Sequence, residues 1–424
     1  MGASLLALHA LFASSLTFQG GDARAPIAPM TPAPKTAADA VNAFAADLLR
    51  EAAGQRGNFF ASPLSLELAL AMTRAGARGE TAKQMDAVLH LPAVAPKAFR
   101  EATKKLAENV LERRSRRARG DGEGADAFGY ELSVANGLFV QKDWTFELAF
   151  RNTAIQDYGA DCREVDFANT SAARAAINGW VDEKTAHKIQ DIVPPDLPQP
   201  DTRMALVNAI HFKAAWNDPF SEKATADAPF TVEPGRDVTV RMMAATRSYA
   251  LRDDAEAQVV ELPYRDRMAS MVIVLPKARD GLDALVASLT PARLAELTAR
   301  GQPVRVALKL PKFTFTTAFE ATPLLRRLGM VDPCDPVAAD FSGITLSKKD
   351  RPFIGQVLHK AFVAVDEKGT EAAAATVVLV RAGSEAKPED PVVVTVDHPF
   401  LFFIRHEGTG QLLFAGRVDD PTAK

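Results

Sequence analysis

Only two of the 424 residues are cysteine, Cys162 and Cys334, too few and too far apart for a disulfide framework or a four-ligand zinc site. Neither sign of charge dominates: 50 Lys+Arg oppose 53 Asp+Glu, so the net charge of -3 gives no global pull toward nucleic acid or an anionic membrane. Any charge-driven partner must use a local patch. Seven histidines include no HExxH pair and no close cluster, which argues against a metal centre. There is no GxSxG elbow and no GxxxxGK[ST] phosphate loop, and Gly408-Thr409-Gly410 lacks the third glycine of a dinucleotide fingerprint. Strand-like runs flank that tripeptide, so it reads as a hairpin turn. Scattered Ser, His and Asp could converge only through the fold, and no motif points to an enzyme or to a bound cofactor. A repeat of fixed period is missing, as is any long Gly/Ser-rich break after residue 36.

Hydrophobic residues make up 47% of the chain, enough for a large core and incompatible with a mainly disordered protein. Length alone, at about 150 residues per domain, suggests roughly three domains as a prior. Residues 3–18 (ASLLALHALFASSLTF) carry no charge, and the small residues Ala23 and Ala25 follow, as in a secretory leader and its cleavage zone. No Lys or Arg precedes the run, and Pro26 is a poor residue to leave at a new N-terminus. The run is short for a stable membrane span. A leader over 1–25 and secretion to an extracellular or periplasmic space are the expectation. Residues 26–36 hold four prolines and read as an extended tether.

Beyond the tether, Val41, Phe44, Leu48 and Leu49 recur at helical spacing before Gly54. A second helix begins at Ser62-Pro63, a capping residue followed by a residue suited to the first turn, and runs to Ala75. Residues 134–140, 205–213, 271–275, 306–316, 360–365, 392–396 and 411–418 read as strands. Helices and strands mixed without a regular βαβ period predict an α+β fold.

From Lys360 the chain reads KAFVAVDEKGTEAAAATVVLVRAGSEAKPED. Four alanines, Ala372 to Ala375, favour a helix, yet Thr376-Val377-Val378-Leu379-Val380 favours extended structure. Such a segment can change conformation. As a strand it would place Thr370, Ala372, Ala374, Thr376 and Val378 on one face and Glu371, Ala373, Ala375 and Val377 on the other. The first set is small enough to enter a packed sheet. A bulky or charged residue there would cost on the order of 1 to 3 kcal/mol. The polar stretch 383–391 should be exposed and open to proteolysis.

Here the chain resembles the serpins, protease inhibitors that insert their own cleaved loop into a sheet. The likeness runs from about residue 36 to 421 and rests on EKGTEAAAAT, NFFASPLSLELALAMTRAGARGET from Asn58, ALVNAIHFKAAW from Ala205, LPKFTF from Leu310, and DHPFLFFIRH with LLFAGRV near the end. It implies one compact domain over 37–424, with three β-sheets, about eight or nine helices and an exposed reactive-centre loop near 369–391. It also implies irreversible suicide inhibition of serine, or cysteine, endopeptidases. The alternative is a non-inhibitory serpin acting as a chaperone or ligand carrier.

Residue roles follow from the same resemblance. The inhibitory hinge matches Gly369, Thr370, Glu371, Ala372, Ala373, Ala374, Ala375 and Thr376, with no proline or bulky side chain on the inserting face. Family spacing from Gly369 puts the scissile bond at Gly383-Ser384, with Arg381-Ala382 as competitor. Gly383 suits an elastase-like or subtilisin-like pocket, and Arg381 a trypsin-like one. Ser62, Ser65, Asn208 and His359 match a polar shutter beneath sheet A. Trp216, Glu367 and Lys312 match the breach at its top.

Arg113, Arg114, Arg116, Arg117 and Arg119 crowd seven positions, where some serpins bind heparin-like polyanions. Gly120, Gly122 and Gly124 with nearby acids make a solvated loop the simpler reading. Arg119-Gly120-Asp121 and the sequon Asn169-Thr170-Ser171 are short patterns that recur by chance. The expected partner is a target protease, with a polyanion as an additional candidate. Nucleic acid and a stable membrane span are not expected, and a monomer is.

Overall fold

A computed structural model describes residues 36–52, 56–91, 130–144, 146–185, 187–345, 351–370 and 390–423. The expected leader, tether, arginine cluster and reactive bond, and the hinge from Glu371 to Thr376, lie outside these residues.

Helix α1 (Ala37–Ala52) starts with a reciprocal cap: Thr36 Oγ1 accepts from Asp39 N and Asp39 Oδ2 accepts from Thr36 N. Val41, Phe44, Leu48 and Leu49 are buried along one stripe, as their spacing requires. Helix α2 (Pro63–Arg74) begins as predicted, with Ser62 Oγ accepting from Ser65 N and Pro63 in the first turn. Among the described residues the remaining α-helices are α3 (Gly79–Val88), α4 (Leu148–Tyr158), α5 (Thr170–Lys184), α6 (Leu282–Ala287), α7 (Pro291–Thr298) and α8 (Thr322–Arg327). Asn169, first residue of the sequon, caps α5 by accepting from Ala172 N.

The strands, in chain order, are β1 (Phe59–Ala61), β2 (Tyr130–Gln141), β3 (Asp161–Val165), β4 (Met204–Ala215), β5 (Ala226–Glu233), β6 (Arg236–Asp253), β7 (Ala257–Pro263), β8 (Ala269–Pro276), β9 (Gln302–Pro311), β10 (Phe313–Glu320), β11 (Gln356–Val365), β12 (Gly369–Thr370), β13 (Val392–Thr395), β14 (Phe400–His406) and β15 (Leu412–Val418). They form a six-stranded sheet ordered β10-β11-β12-β4-β2-β3 and a nine-stranded one ordered β1-β15-β14-β8-β7-β6-β9-β13, with β5 on β6. The eighteen-residue β6 serves both halves of the larger sheet, pairing with β5 and β9 along most of its length and with β7 at its end. The three expected sheets are therefore the six-stranded one and the two halves that meet at β6.

One expected strand, 306–316, is two. The chain leaves the nine-stranded sheet at Pro311 and enters the six-stranded one at Phe313, and Lys312 marks the crossing. An apolar run cannot reveal a change of sheet, because both halves are buried alternately. The predicted turn at 408–410 does join antiparallel β14 and β15, with Gly410 at φ 69° where an L side chain would be strained.

The main core lies between the sheets and under α1 and α2, where Phe60 stacks on Phe414 with ring centroids 4.8 Å apart. A second cluster packs α5 onto the outer face of the six-stranded sheet through Phe139, Ile177, Trp180 and Val207. Apolar side chains on both faces explain why β4 reads as a nearly unbroken apolar run.

Candidate functional site

Strands β11 and β4 pair in parallel from Gln356 opposite Ala205 to Ala361 opposite Ile210. Beyond that, β12 lies between them. Gly369 and Thr370 pair antiparallel with Ala215 and Ala214 of β4, and Thr370 pairs antiparallel with Val365 of β11. The first two residues of the predicted hinge thus form a short strand between β11 and β4. A tight turn, 366–368, makes this return possible: Asp366 Oδ1 accepts from Lys368 N and Gly369 N, and Asp366 N donates to Gly369 O. Only glycine fits at 369, since a Cβ would run into the carbonyl oxygen of Ala214. Thr370 is 1% exposed, and its Oγ1 lies 2.7 Å from Tyr264 Oη.

At the top of the slot the predicted breach residues meet. Lys312 Nζ donates to Glu367 Oε2 at 2.7 Å, and Thr225 Oγ1 donates to Glu367 Oε1 at 2.8 Å. Burial by itself raises the Glu367 carboxyl, but the Lys312 hydrogen bond and charge and the Thr225 hydroxyl outweigh it and leave the group below its ordinary range. Trp216 Nε1 donates to Asp366 O and Trp216 N to Lys368 O, both at 2.9 Å. The indole stacks on Tyr264 with centroids 4.7 Å apart and planes 6° from parallel.

Lower in the slot the four predicted shutter residues converge. Ser62 N donates to His359 Nε2 at 3.2 Å, so the ring proton sits on Nδ1, which donates to Asn208 Oδ1 at 2.7 Å. Asn208 Nδ2 donates to Ser65 O and to Asn136 Oδ1, and Ser62 Oγ donates to Leu413 O. Burial pushes the His359 imidazole down to about 3, so it is neutral at any physiological pH. The network ties β2, β4, β11, α2 and β15 together at one buried point.

Asn136, Thr225 and Tyr264 were missed by the sequence reading. For Asn136 a signal exists, an amide inside the apolar strand ELSVANGLFV. Nothing local distinguishes Tyr264 or Thr225. Among the described residues there is no group of His, Cys, Asp and Glu able to hold a metal ion and no helix long and apolar enough to cross a membrane.

Residues 39–421 match the family model described as Serpin (serine protease inhibitor). A leukocyte elastase inhibitor of Xenopus laevis is 35% identical over 372 residues, 86% of this chain and 93% of that protein. An uncharacterized serpin-like protein of Thermococcus kodakarensis is 34% identical over 391 residues, 91% of this chain and 86% of that one. Among solved structures, Serpin48 of the insect Tenebrio molitor superposes with TM-score 0.78 at 30% identity, covering 91% of this chain and 98% of its own. Tengpin, a thermophilic serpin in its native state, superposes with TM-score 0.79 at 27% identity, covering 90% and 93%. A match of this extent, on a fold in which Gly369-Thr370 lies in a sheet between β11 and β4, places the chain in the serpin family.

Proposed function

We propose that the chain is a suicide-substrate inhibitor of serine endopeptidases and not itself an enzyme. One observation carries the reading: β12 is hydrogen-bonded to both β11 and β4, antiparallel to each, at the head of a slot that β11 and β4 still close lower down. Lengthening β12 would replace one parallel ladder by two antiparallel ones, which are slightly more stable per residue. Continued in the same register, a lengthened strand would bring Glu371 opposite Lys213 and would put Ala372, Ala374 and Thr376 on the same face as Thr370. The small side chains there suit a packed interior.

In the proposed cycle the protease serine hydroxyl attacks the Gly383 carbonyl carbon. An ester forms, the Gly383–Ser384 C–N bond breaks, and the proton passes to the leaving amine of Ser384. The freed segment 369–383 would extend to roughly 50 Å, comparable to the molecule's diameter of about 55 Å. An attached protease would be carried from one pole to the other. With about ten to fifteen new hydrogen bonds at roughly 0.5 to 1.5 kcal/mol net, some 5 to 20 kcal/mol becomes available to distort it. Elastase-like and subtilisin-like proteases suit Gly383, and relatives named leukocyte elastase inhibitor support the former. Arg381-Ala382 would instead serve a trypsin-like target.

Secretion after removal of residues 1–25, a monomeric state and polyanion binding by the cluster from Arg113 to Arg119 belong to the same proposal. N-terminal sequencing of the exported protein, light scattering and heparin chromatography check them. The central test mixes the protein with an elastase-like, a subtilisin-like and a trypsin-like protease, followed by denaturing gels and mass spectrometry. A covalent complex at the summed mass, with cleavage after Gly383 or Arg381, is the expected result. Cleavage by all three without a complex or a gain in thermal stability would replace inhibition by the carrier or chaperone reading.

A further inference from the structure

A cavity of about 380 Å³ opens beside the breach, lined by Trp216 and Phe220, whose N–H groups hold the turn 366–368. Its size falls within the roughly 300–1,000 Å³ of small-molecule pockets. Trp216, Phe220, Leu262 and Pro303 supply apolar walls. Tyr249 also lines it, and its hydroxyl is buried with no hydrogen-bond partner among the described residues. Burial pushes this phenol up to about 12, so it stays protonated and can donate.

The charges around the cavity do not cancel. Two acids line it, but each faces an arginine from outside the lining: Asp218 lies 3.6 Å from Arg247, and Glu261 lies 2.8 Å from the buried Arg405, which Glu407 shares at 2.8 Å. Two further arginines line the cavity itself. Arg300 is 67% exposed and reaches Glu261 only at 3.9 Å, and Arg267 has no ion pair among the described residues. Four arginines, Arg247, Arg267, Arg300 and Arg405, thus face three carboxylates, Asp218, Glu261 and Glu407, and a surplus of one positive charge sits beside aromatic walls and an unused hydroxyl donor.

The same walls hold the hinge. Trp216 stacks on Tyr264, which meets Thr370, and its two N–H groups hold Asp366 and Lys368. Phe220 N donates to Glu367 O at 2.8 Å. A body packed against Trp216 and Phe220 would stiffen every one of these contacts.

We infer that this cavity binds a small amphipathic anion, an aromatic or aliphatic carboxylate or sulfonate, and that its occupant holds the hinge in the uncut, two-residue-inserted position. A ligand favours the state that contains its site, so occupancy opposes further opening of the sheet. The binding stands on the cavity alone, and only its effect on protease trapping rests on the inhibitory reading above.

The test uses the uncut full chain with 8-anilinonaphthalene-1-sulfonate, and N-phenyl-1-naphthylamine as its uncharged counterpart. The sulfonate should bind saturably at one site, at least tenfold more tightly than the amine. Arg267→Gln with Arg300→Gln should lower its affinity at least tenfold, and Arg300→Gln alone, on an exposed side chain, serves if the double variant does not fold. Saturating sulfonate should slow hydrogen exchange of residues 366–370 several-fold and slow covalent complex formation by a similar factor. Equal binding of both probes, or unchanged binding in the arginine variants, overturns the anion site. Arginine-dependent binding with unchanged exchange at 366–370 overturns the hold on the hinge. If no protease is trapped, the inhibitory reading fails on its own, and the exchange measurement still decides the cavity.

Discussion

His359 Nδ1 donates a 2.7 Å hydrogen bond to Asn208 Oδ1 from the directly opposite position on the neighbouring strand, at the seam where β11 and β4 pair in parallel. A strand lengthening from β12 must part these two residues. In the proposed inhibitory cycle their bond therefore belongs to the uncut form, and both groups would need new partners on loop insertion, because a buried donor or acceptor left unpaired costs about 1 to 3 kcal/mol.

The neutral state of His359 makes that seam sensitive to acid. Its imidazole titrates near 3 in the fold and near 6.5 in an unfolded chain, so the fold binds fewer protons between these values. The stability from the neutral ring is complete above pH 6.5 and drains by about 1.4 kcal/mol per pH unit as pH falls toward 3. Guanidinium unfolding of wild type and His359→Gln at pH 7.5 and 4.5 should show a smaller acid loss in the variant. An equal loss in both would place the acid sensitivity elsewhere.

Glu67 has the opposite sign. It is fully buried in α2, neither carboxyl oxygen has a hydrogen-bond partner among the described residues, and burial raises its pKa well above the ordinary value of 4.5. The fold keeps the proton that the unfolded chain loses, so stability is fully present below about pH 4.5 and drains as pH rises toward the folded value. Glu67→Leu should raise the thermal midpoint by several degrees at pH 7.5 and change it little at pH 4.5. A lower midpoint at pH 7.5 would reveal a partner for the carboxylate.

Thr370 tests whether the slot accepts only small side chains. Thr370→Arg would bring a charge and four extra heavy atoms to a position 1% exposed and displace the Tyr264 contact. The loop should still be cut, but without a covalent complex and without the gain in thermal stability on cleavage. Thr370→Ser should keep both. Complex formation by the arginine variant would show that insertion does not pass through this position.

Gly369→Ala forces the same slot from the backbone side, because the added methyl meets Ala214 O. Hydrogen exchange at 369–370 should quicken at least tenfold as the two residues leave the sheet. Unchanged exchange would mean that β4 yields at Ala214 instead.

The Lys312–Glu367 pair adds a pH-dependent clasp. Since the folded Glu367 carboxyl lies below its ordinary value, its contribution is present above about pH 4.5 and is lost as pH falls through the lower folded value. Lys312→Met should lower the protection factors of residues 366–370 several-fold at pH 7, and in wild type the same protection factors, corrected for the acid-slowed intrinsic exchange rate, should fall once the pH drops through the folded value of Glu367. A variant that exchanges at the wild-type rate would assign the hold to Trp216 and Thr225 alone.

Much of this was legible in the chain because its causes are local. Helix starts depend on a residue or two, and Ser62-Pro63 declares α2 before any contact is known. The Gly-Thr pair and the alternating small residues after it depend on a period of two, and the family segments extend that reading to the shutter and breach residues. The tertiary structure decided what those residues touch. Asn136 meets Asn208 across 72 residues of chain, and Tyr264 meets Thr370 across 106. Both contacts arise from strand order and register, which no window of neighbouring residues contains. The crossing of sheets at Lys312 and the cavity beside Trp216 have the same origin, since each exists only where segments distant in sequence are packed against one another.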